Sequence, residues 1–290
     1  RKSKPQRFVL LNSFITFAAN YNIMLKFISF GSGSSGNAYF LYTETDGIFI
    51  DCGIGLRTIK KYMHSYGLHL SMIHNILITH DHADHVKSVG SMSDNQSIPV
   101  YATKKVHEGI VNNWCVRKKV VAEQVRYVEK GRTEQIGEFT VTPFEVPHDS
   151  TDCVGYCIEC QGLTFTLVTD CGHITDEIRT FVSRANYLVI EANHEPEKLA
   201  AGPYPQYLKT RITSKTGHLS NAECAQTIVE NATLGLRHVW LCHLSDENNH
   251  PELARKAVTS EMASHGLVAD VDFMVEVLRR KTPSGIYELK

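Results

Sequence analysis

The 290-residue chain has almost no net charge: 30 Lys and Arg stand against 31 Asp and Glu, a formal charge of −1. No global field draws it to nucleic acid or to an anionic membrane, so any phosphate-binding surface must be a local patch. Long apolar runs are also missing. None approaches the ~18 residues a membrane span needs. A hydrophobic content of 42% with a mean hydropathy of −0.19 excludes a disordered chain too. Cysteine is thin: eight residues, far apart between Cys52 and Cys242. A disulfide framework belongs to short secreted chains, which this is not. The lone Cys-x-x-Cys, Cys157 and Cys160, lies in a stretch that reads as a strand, not a zinc knuckle. Buried, reduced thiols in a cytoplasmic protein are the expectation. Histidine is what the chain has in excess, with 15 residues.

Residues 1–23 carry a basic start and an apolar stretch interrupted by Asn12, Ser13 and Thr16, with no clear small-x-small cleavage site after it. Met24 directly precedes a clean strand. We read 1–23 as an extension outside the fold and 24–290 as one domain, since no Pro/Ser-rich linker divides it. Strands are expected at 25–30, 38–43, 48–51, 76–79, near 100, 125–128, 139–144, 154–159, 163–169, 187–191, 238–242, 273–279 and 285–289. Helices are expected at 56–66, from about 84, 104–114, 176–184, 220–232 and 251–265. The strands come in two batches, each followed by helices. That order predicts an α/β protein of two mixed sheets face to face with helices outside, a four-layer αββα sandwich.

One segment stands out. Thr79-His80-Asp81-His82-Ala83-Asp84-His85 places three histidines and two aspartates in six positions, directly after a strand. Imidazole and carboxylate are good ligands for Zn²⁺ and similar ions, and a tight loop can aim alternate side chains at two neighbouring points. Four ligands cannot complete two sites. Three other strand ends supply the remainder: His148 after 139–144, Asp170 after 163–169, and His243 after 238–242.

These motifs resemble the metallo-β-lactamase superfamily across essentially all of 24–290. The resemblance implies one metal on His80, His82 and His148, a second on Asp84, His85 and His243, and Asp170 bridging both. Asp51, closing Phe49-Ile50-Asp51-Cys52-Gly53, matches the position of a carboxylate that orients a ligand histidine from behind. His82 stands where the redox di-iron branch has Glu, which argues against oxygen chemistry.

Fold does not name the substrate. Thr216-Gly217-His218-Leu219-Ser220-Asn221-Ala222-Glu223 contains a Ser-x-x-Glu capping box and sets His218 at a helix entrance. A histidine there resembles the phosphodiesterase branch that includes tRNase Z, where it assists the departing group. Ile190-Glu191-Ala192-Asn193 lacks the first His of that family's His-Glu-Ala-Thr motif. The segments 202–205, 208–211 and 243–251 are similar to the YycJ/WalJ (VicX) group of bacterial metallo-β-lactamase-fold proteins. That likeness implies a DNA-directed exonuclease trimming from a 5′ end. The stretch from Asp170 to His243 is too short for the extra domain of β-CASP nucleases. A glyoxalase II-type thioesterase, which usually ends in a helical domain, remains the rival enzyme. A non-catalytic metal-binding accessory protein of a signalling or repair pathway is the rival of another class.

The implied chemistry is two-metal hydrolysis by a shared hydroxide, with Asp84 among the catalytic residues and His218 as the acid. His/Asp ligands suit Zn²⁺, Mn²⁺ and Fe²⁺ alike, with Zn²⁺ favoured, and no organic cofactor or membrane contact is expected. For phosphate contacts the candidates are Ser34, Ser35 and Asn37 in the Gly31–Asn37 loop, Lys209, Arg211 and Lys215 near His218, and the Arg117-Lys118-Lys119 run. Tight-turn chemistry is the alternative for the loop, and a solvated face for each basic cluster.

Overall fold

A computed structural model of the chain describes residues 24–290; the expectation for 1–23 lies outside the described residues. The first sheet holds β1 (Leu25–Gly31), β2 (Ala38–Tyr42), β3 (Gly47–Ile50), β4 (Asn75–Leu77), β5 (Val100–Ala102) and β6 (Val125–Tyr127). The second holds β7 (Glu134–Ile136), β8 (Phe139–Glu145), β9 (Val154–Cys160), β10 (Leu163–Val168), β11 (Tyr187–Glu191), β12 (His238–Cys242) and β13 (Met274–Val277). A last strand, β14 (Tyr287–Leu289), returns to pair with β1, so the two orders are β14-β1-β2-β3-β4-β5-β6 and β13-β12-β11-β10-β9-β8-β7. Pairing is parallel from β3 to β6 and from β10 to β13, and antiparallel elsewhere.

Side chains alternate between the faces of a strand, and here both faces are buried. Phe27, Leu41 and Ile50 face Phe165, Val189 and Trp240 between the sheets. Their neighbours Ile28, Phe40 and Phe49 pack outward on α1 (Leu56–Ser65), α3 (Val89–Gln96) and α4 (Lys104–Asn112). Leu188, Ile190 and Val239 of the second sheet pack on α5 (Asp176–Arg184), α8 (Asn221–Asn231) and α9 (Pro251–Ser264). Three cores between four layers make the αββα sandwich, as the strand order predicts. Among the described residues, no helix is long and apolar enough to cross a membrane. All eight cysteines are free, and burial pushes the Cys157 and Cys160 thiols on β9 up to about 11.

Several elements differ from the sequence reading. The helix expected near Asp84 is two, α2 (Ala83–Val86) and α3, and between them the Ser88 hydroxyl donates to the carbonyls of Cys52 and Ile54. Two short helices were not anticipated: α6 (Pro196–Ala201), entered by a proline in its first turn, and α7 (Gln206–Ile212), which follows Pro205. Proline fits a first helical turn because the missing N–H has no partner there. Strand β7 was also missed. It is an edge hairpin closed by Gly137 and Glu138, with Gly137 at φ 59°.

Candidate metal centre

The candidate residues collect where the carboxyl ends of the parallel strands in both sheets meet, the usual ligand crevice of α/β folds. Asp51 follows β3, His80 follows β4, Asp170 follows β10, Glu191 ends β11 and His243 follows β12. His148 arrives from β8, and His82, Asp84 and His85 from the loop into α2. Asp51, Asp170 and His243 leave their strands in left-handed backbone, with φ of 60°, 52° and 52°. That conformation costs a non-glycine residue about 1–3 kcal/mol and must be held by its surroundings. At His243 the hold is visible: its N–H donates to Ser32 Oγ at 2.9 Å and its carbonyl accepts from Asn193 Nδ2 at 2.9 Å.

Four sets of potential ligand atoms lie within 4.8 Å of one another: His80/His82/His148, Asp84/His85/His243, His80/His85/Asp170, and Asp170/Glu191/His218/His243. All seven residues grouped by the sequence reading are therefore brought to one place, with Asp170 reaching between the first two sets. Asp170 Oδ2 lies 3.2 Å from His85 Nε2, and its Oδ1 lies 3.7 Å from His148 Nε2 and 3.4 Å from His243 Nδ1.

The rings are fixed from behind through Nδ1. His85 Nδ1 meets Asp51 Oδ2 at 2.7 Å, His148 Nδ1 meets the Gly217 carbonyl at 3.1 Å, and His243 Nδ1 meets Glu191 Oε1 at 2.9 Å. Such partners set the tautomer and leave Nε2 as the inward atom. His80 Nδ1 contacts Thr79 Oγ1 at 3.0 Å, and Thr79 Oγ1 reaches Asp51 Oδ2 at 2.9 Å.

Two features show that these residues fit a cation. His80 Nε2 is buried with no hydrogen-bond partner, a costly state for a polar atom unless something else engages it. His82 Nδ1 and His148 Nε2 face each other at 3.2 Å, and both belong to one set of convergent ring nitrogens with His80. The electrostatics agree. Burial, with the neighbouring imidazoles, holds His80 well below the usual histidine range, and burial likewise lowers His148. Burial opposes a charge on His85 too, but the carboxylates of Asp170, Asp51 and Asp84 outweigh it and raise that ring. Burial would raise Asp170 and Glu191. The adjacent imidazoles hold Asp170 well below the usual carboxylate range and bring Glu191 down to about 2. The carboxylates thus favour positive charge at His85 while burial disfavours it at His80 and His148, and a ring must be unprotonated to bind a metal.

Glu191 has no role assigned by the sequence motifs alone. It is fully buried, and its Oε1 holds both His218 Nδ1 at 2.8 Å and His243 Nδ1 at 2.9 Å. Its Oε2 accepts the N–H groups of Cys171 at 2.8 Å and Leu219 at 3.1 Å. A carboxylate ending the apolar run Tyr187–Ile190 was the available signal, because a buried charge must be paired. His218 sits at the mouth of α8, where Ser220 and Glu223 form the expected capping box, and its ring centre lies 5.1 Å from His148 and 5.4 Å from His243. Burial works against its charge, yet Glu191 and Asp170 raise its pKa.

The phosphate candidates fare differently. Ser34 and Ser35 are exposed. Asn37 is not on that surface: it is buried, its Oδ1 accepts the Gly33 N–H at 2.8 Å, and its Nδ2 lies 2.8 Å from His85 Nε2. The loop also spends backbone N–H groups internally, Gly36 on Gly33 and Asn37 on Asp84. Arg211 is committed to Asp149 through two nitrogens, and Lys209 Nζ donates to the Ala200 carbonyl at 2.6 Å. Lys215 is exposed, and its carbonyl engages His173 Nδ1 at 2.7 Å. In the other cluster, Lys119 caps α4 through the carbonyls of Ile110 and Asn113, Lys118 pairs with Asp94, and Arg117 is exposed.

A four-layer αββα sandwich with a histidine–carboxylate cluster at its strand ends defines the metallo-β-lactamase class of fold. The chain belongs to that superfamily: residues 47–244 match the beta-lactamase superfamily domain. It is 33% identical over 267 residues to the exodeoxyribonuclease WalJ of Streptococcus pneumoniae, covering 92% of this chain and 99% of that one. It is 29% identical over 265 residues to the exodeoxyribonuclease YycJ of Bacillus anthracis, covering 90% and 98%. Among solved structures, the metallo-β-lactamase fold protein YhfI of Bacillus subtilis matches with a TM-score of 0.69 at 16% identity, over 92% of this chain and all of that one.

Proposed function

We propose that the chain is a metal-dependent phosphodiesterase that acts as a DNA exonuclease, trimming from the 5′ end. The carrying observation is the convergence of two three-residue sets around Asp170, in a chain whose full-length relatives are named exodeoxyribonucleases. Neither a thioester hydrolase nor a non-catalytic accessory role is favoured by those relatives. His80, His82 and His148 would hold one divalent ion, and Asp84, His85 and His243 the other, with Asp170 shared. When bound, the pair would supply Lewis-acid charge to the phosphate and acidify a water, with Zn²⁺, Mn²⁺ and Fe²⁺ all compatible with the donors. The chain's own part is orientation and proton transfer. Asp51 and Glu191 hold the His85 and His243 rings, and Glu191 also fixes His218 by Nδ1, leaving Nε2 to deliver a proton to the leaving oxygen. The free thiols suit a reducing cytoplasm.

Digestion of 5′- and 3′-labelled duplex DNA with Zn²⁺, Mn²⁺ or Mg²⁺ supplied separately tests the reading. Release of the 5′ label first supports it. No metal-dependent cleavage of any phosphodiester, with turnover of S-lactoylglutathione instead, overturns it. His218→Ala is expected to keep both metals and slow turnover by about 10²-fold, as for a lost acid. A drop in metal content would instead make His218 a ligand. Glu191→Gln is expected to weaken metal binding by about 10- to 100-fold, because the backing of His243 is lost. Unchanged affinity in a metal titration would remove that role.

A further inference from the structure

The chain has two tryptophans, and they sit in opposite environments. Trp240 is fully buried between the sheets, whereas Trp114 is 89% exposed at the end of α4. Trp114 stands between two adjoining recesses. One, of about 540 Å³, is bordered by His82 and Ala83 of the ligand loop, by Asn113 and by Trp114 itself. The other, of about 620 Å³, is bordered by Trp114 together with Lys87, Arg117 and Lys118. A path therefore leads from the candidate metal centre, across an indole, to three cationic side chains.

The support under the indole is rigid. Asn113 Nδ2 donates to the Asp81 carbonyl at 2.7 Å, the Cys115 N–H donates to Asn113 Oδ1 at 2.9 Å, and Lys119 Nζ donates to the Asn113 carbonyl at 2.6 Å. Below it, a side chain at Gly90 would lie 1.9 Å from the Lys118 carbonyl, so α3 meets this segment backbone to backbone. The acids along the path are Asp81, whose carboxylate is occupied by the N–H and hydroxyl of Thr151, and Glu108. Lys118 pairs with Asp94 in the open, a contact of little energetic weight that a phosphate can replace.

We propose that Trp114 is a base-stacking platform and that the path from His82 to Lys87, Arg117 and Lys118 carries a single-stranded segment of the nucleic-acid substrate next to the cleaved bond. The proposal rests on the phosphodiesterase reading and adds the strand's route. A base lies on an exposed indole where its own face is unstacked, which a single strand offers along its length. Stacking on an aromatic platform tolerates any sequence and carries roughly 5- to 150-fold in affinity per base, while flanking cations take the backbone phosphates.

The buried Trp240 makes Trp114 the solvent-exposed emitter, so binding can be read directly. Titrating the whole protein with an oligothymidylate of about 10 nucleotides is expected to quench the red-shifted emission. An abasic oligonucleotide of equal length should bind more weakly without that quench. Trp114→Ala should raise Kd for the oligothymidylate by about 5- to 150-fold with an unchanged melting temperature. Arg117→Glu with Lys118→Glu should weaken binding and flatten its salt dependence. Equal affinity for the abasic strand, or wild-type affinity in Trp114→Ala, overturns the proposal. Wild-type hydrolysis of bis(4-nitrophenyl) phosphate, which needs no strand path, tests the phosphodiesterase reading separately. Hydrolysis of that compound without oligonucleotide quenching removes the path and leaves the centre standing.

Discussion

Replacing Asp170 by Asn is expected to lower phosphodiester turnover by about 10³-fold, the loss of roughly 4 kcal/mol of charge stabilisation. Asp170 is 2% exposed, and Thr169 Oγ1 donates to its Oδ2 at 2.7 Å. The amide has the same shape, so the strand end can stay intact while the negative charge goes. That charge sits between the two three-residue ligand sets. Its Oδ2 lies 3.2 Å from His85 Nε2 in one three-residue set and its Oδ1 3.7 Å from His148 Nε2 in the other. Metal content and the rise in melting temperature on adding Zn²⁺ give a readout besides turnover. Binding to the native state stabilises by RT ln(1 + [L]/Kd), so a weaker site gives a smaller rise. Full occupancy together with turnover within tenfold of wild type would show that Asp170 is not the shared ligand. His80→Ala should act in the same direction, since it removes the ring whose Nε2 has no protein partner.

The second large effect falls on a residue with no side chain. Gly53→Ala is expected to destabilise the protein by about 3 kcal/mol, at the upper end of overpacking costs. A methyl group there would sit 1.6 Å from the Asp84 carbonyl oxygen and 2.7 Å from the Asn37 nitrogen. Both are backbone atoms in a closed latch. The Gly53 N–H donates to Asn37 at 2.9 Å, Asn37 to Asp84 at 2.8 Å, and Cys52 to His85 at 2.6 Å. Forcing the latch open moves Asp84 and His85 together, so metal affinity should fall along with stability. Gly285→Ala is the control: its methyl would meet nothing within 4 Å. Urea unfolding should place that variant within about 0.5 kcal/mol of wild type. Equal midpoints for the two variants would show that the latch yields cheaply.

Much of the architecture was legible because burial on both faces of a strand leaves a local mark. Apolar runs such as Ile48–Ile50 and Tyr187–Ile190 need helices over their outer faces, and the two batches of strands then imply four layers. The capping box at Ser220 and Glu223 is equally local, which is why the start of α8 could be placed from its letters. Short elements were not legible. Helices α6 and α7 lean on neighbours distant in sequence, strand β7 is a three-residue hairpin arm, and the propensities of such short pieces are weak signals.

The ligand run His80–His85 and the histidines and aspartate at other strand ends were determined by the sequence itself, since a loop that short must present its donors together. Which partner each donor takes was decided only by the tertiary structure. Glu191 holds His218 and His243 across separations of 27 and 52 residues, and Arg211 finds Asp149 across 62. No spacing rule predicts such pairs. The same holds for Asn37, which a loop motif places outside and packing places against His85. It holds equally for Trp114, whose nearness to His82 appears only when α4 is laid beside the ligand loop. Local patterning encodes which groups are present and which face they take; the burial and pairing that tune each group arise from chain segments meeting in space.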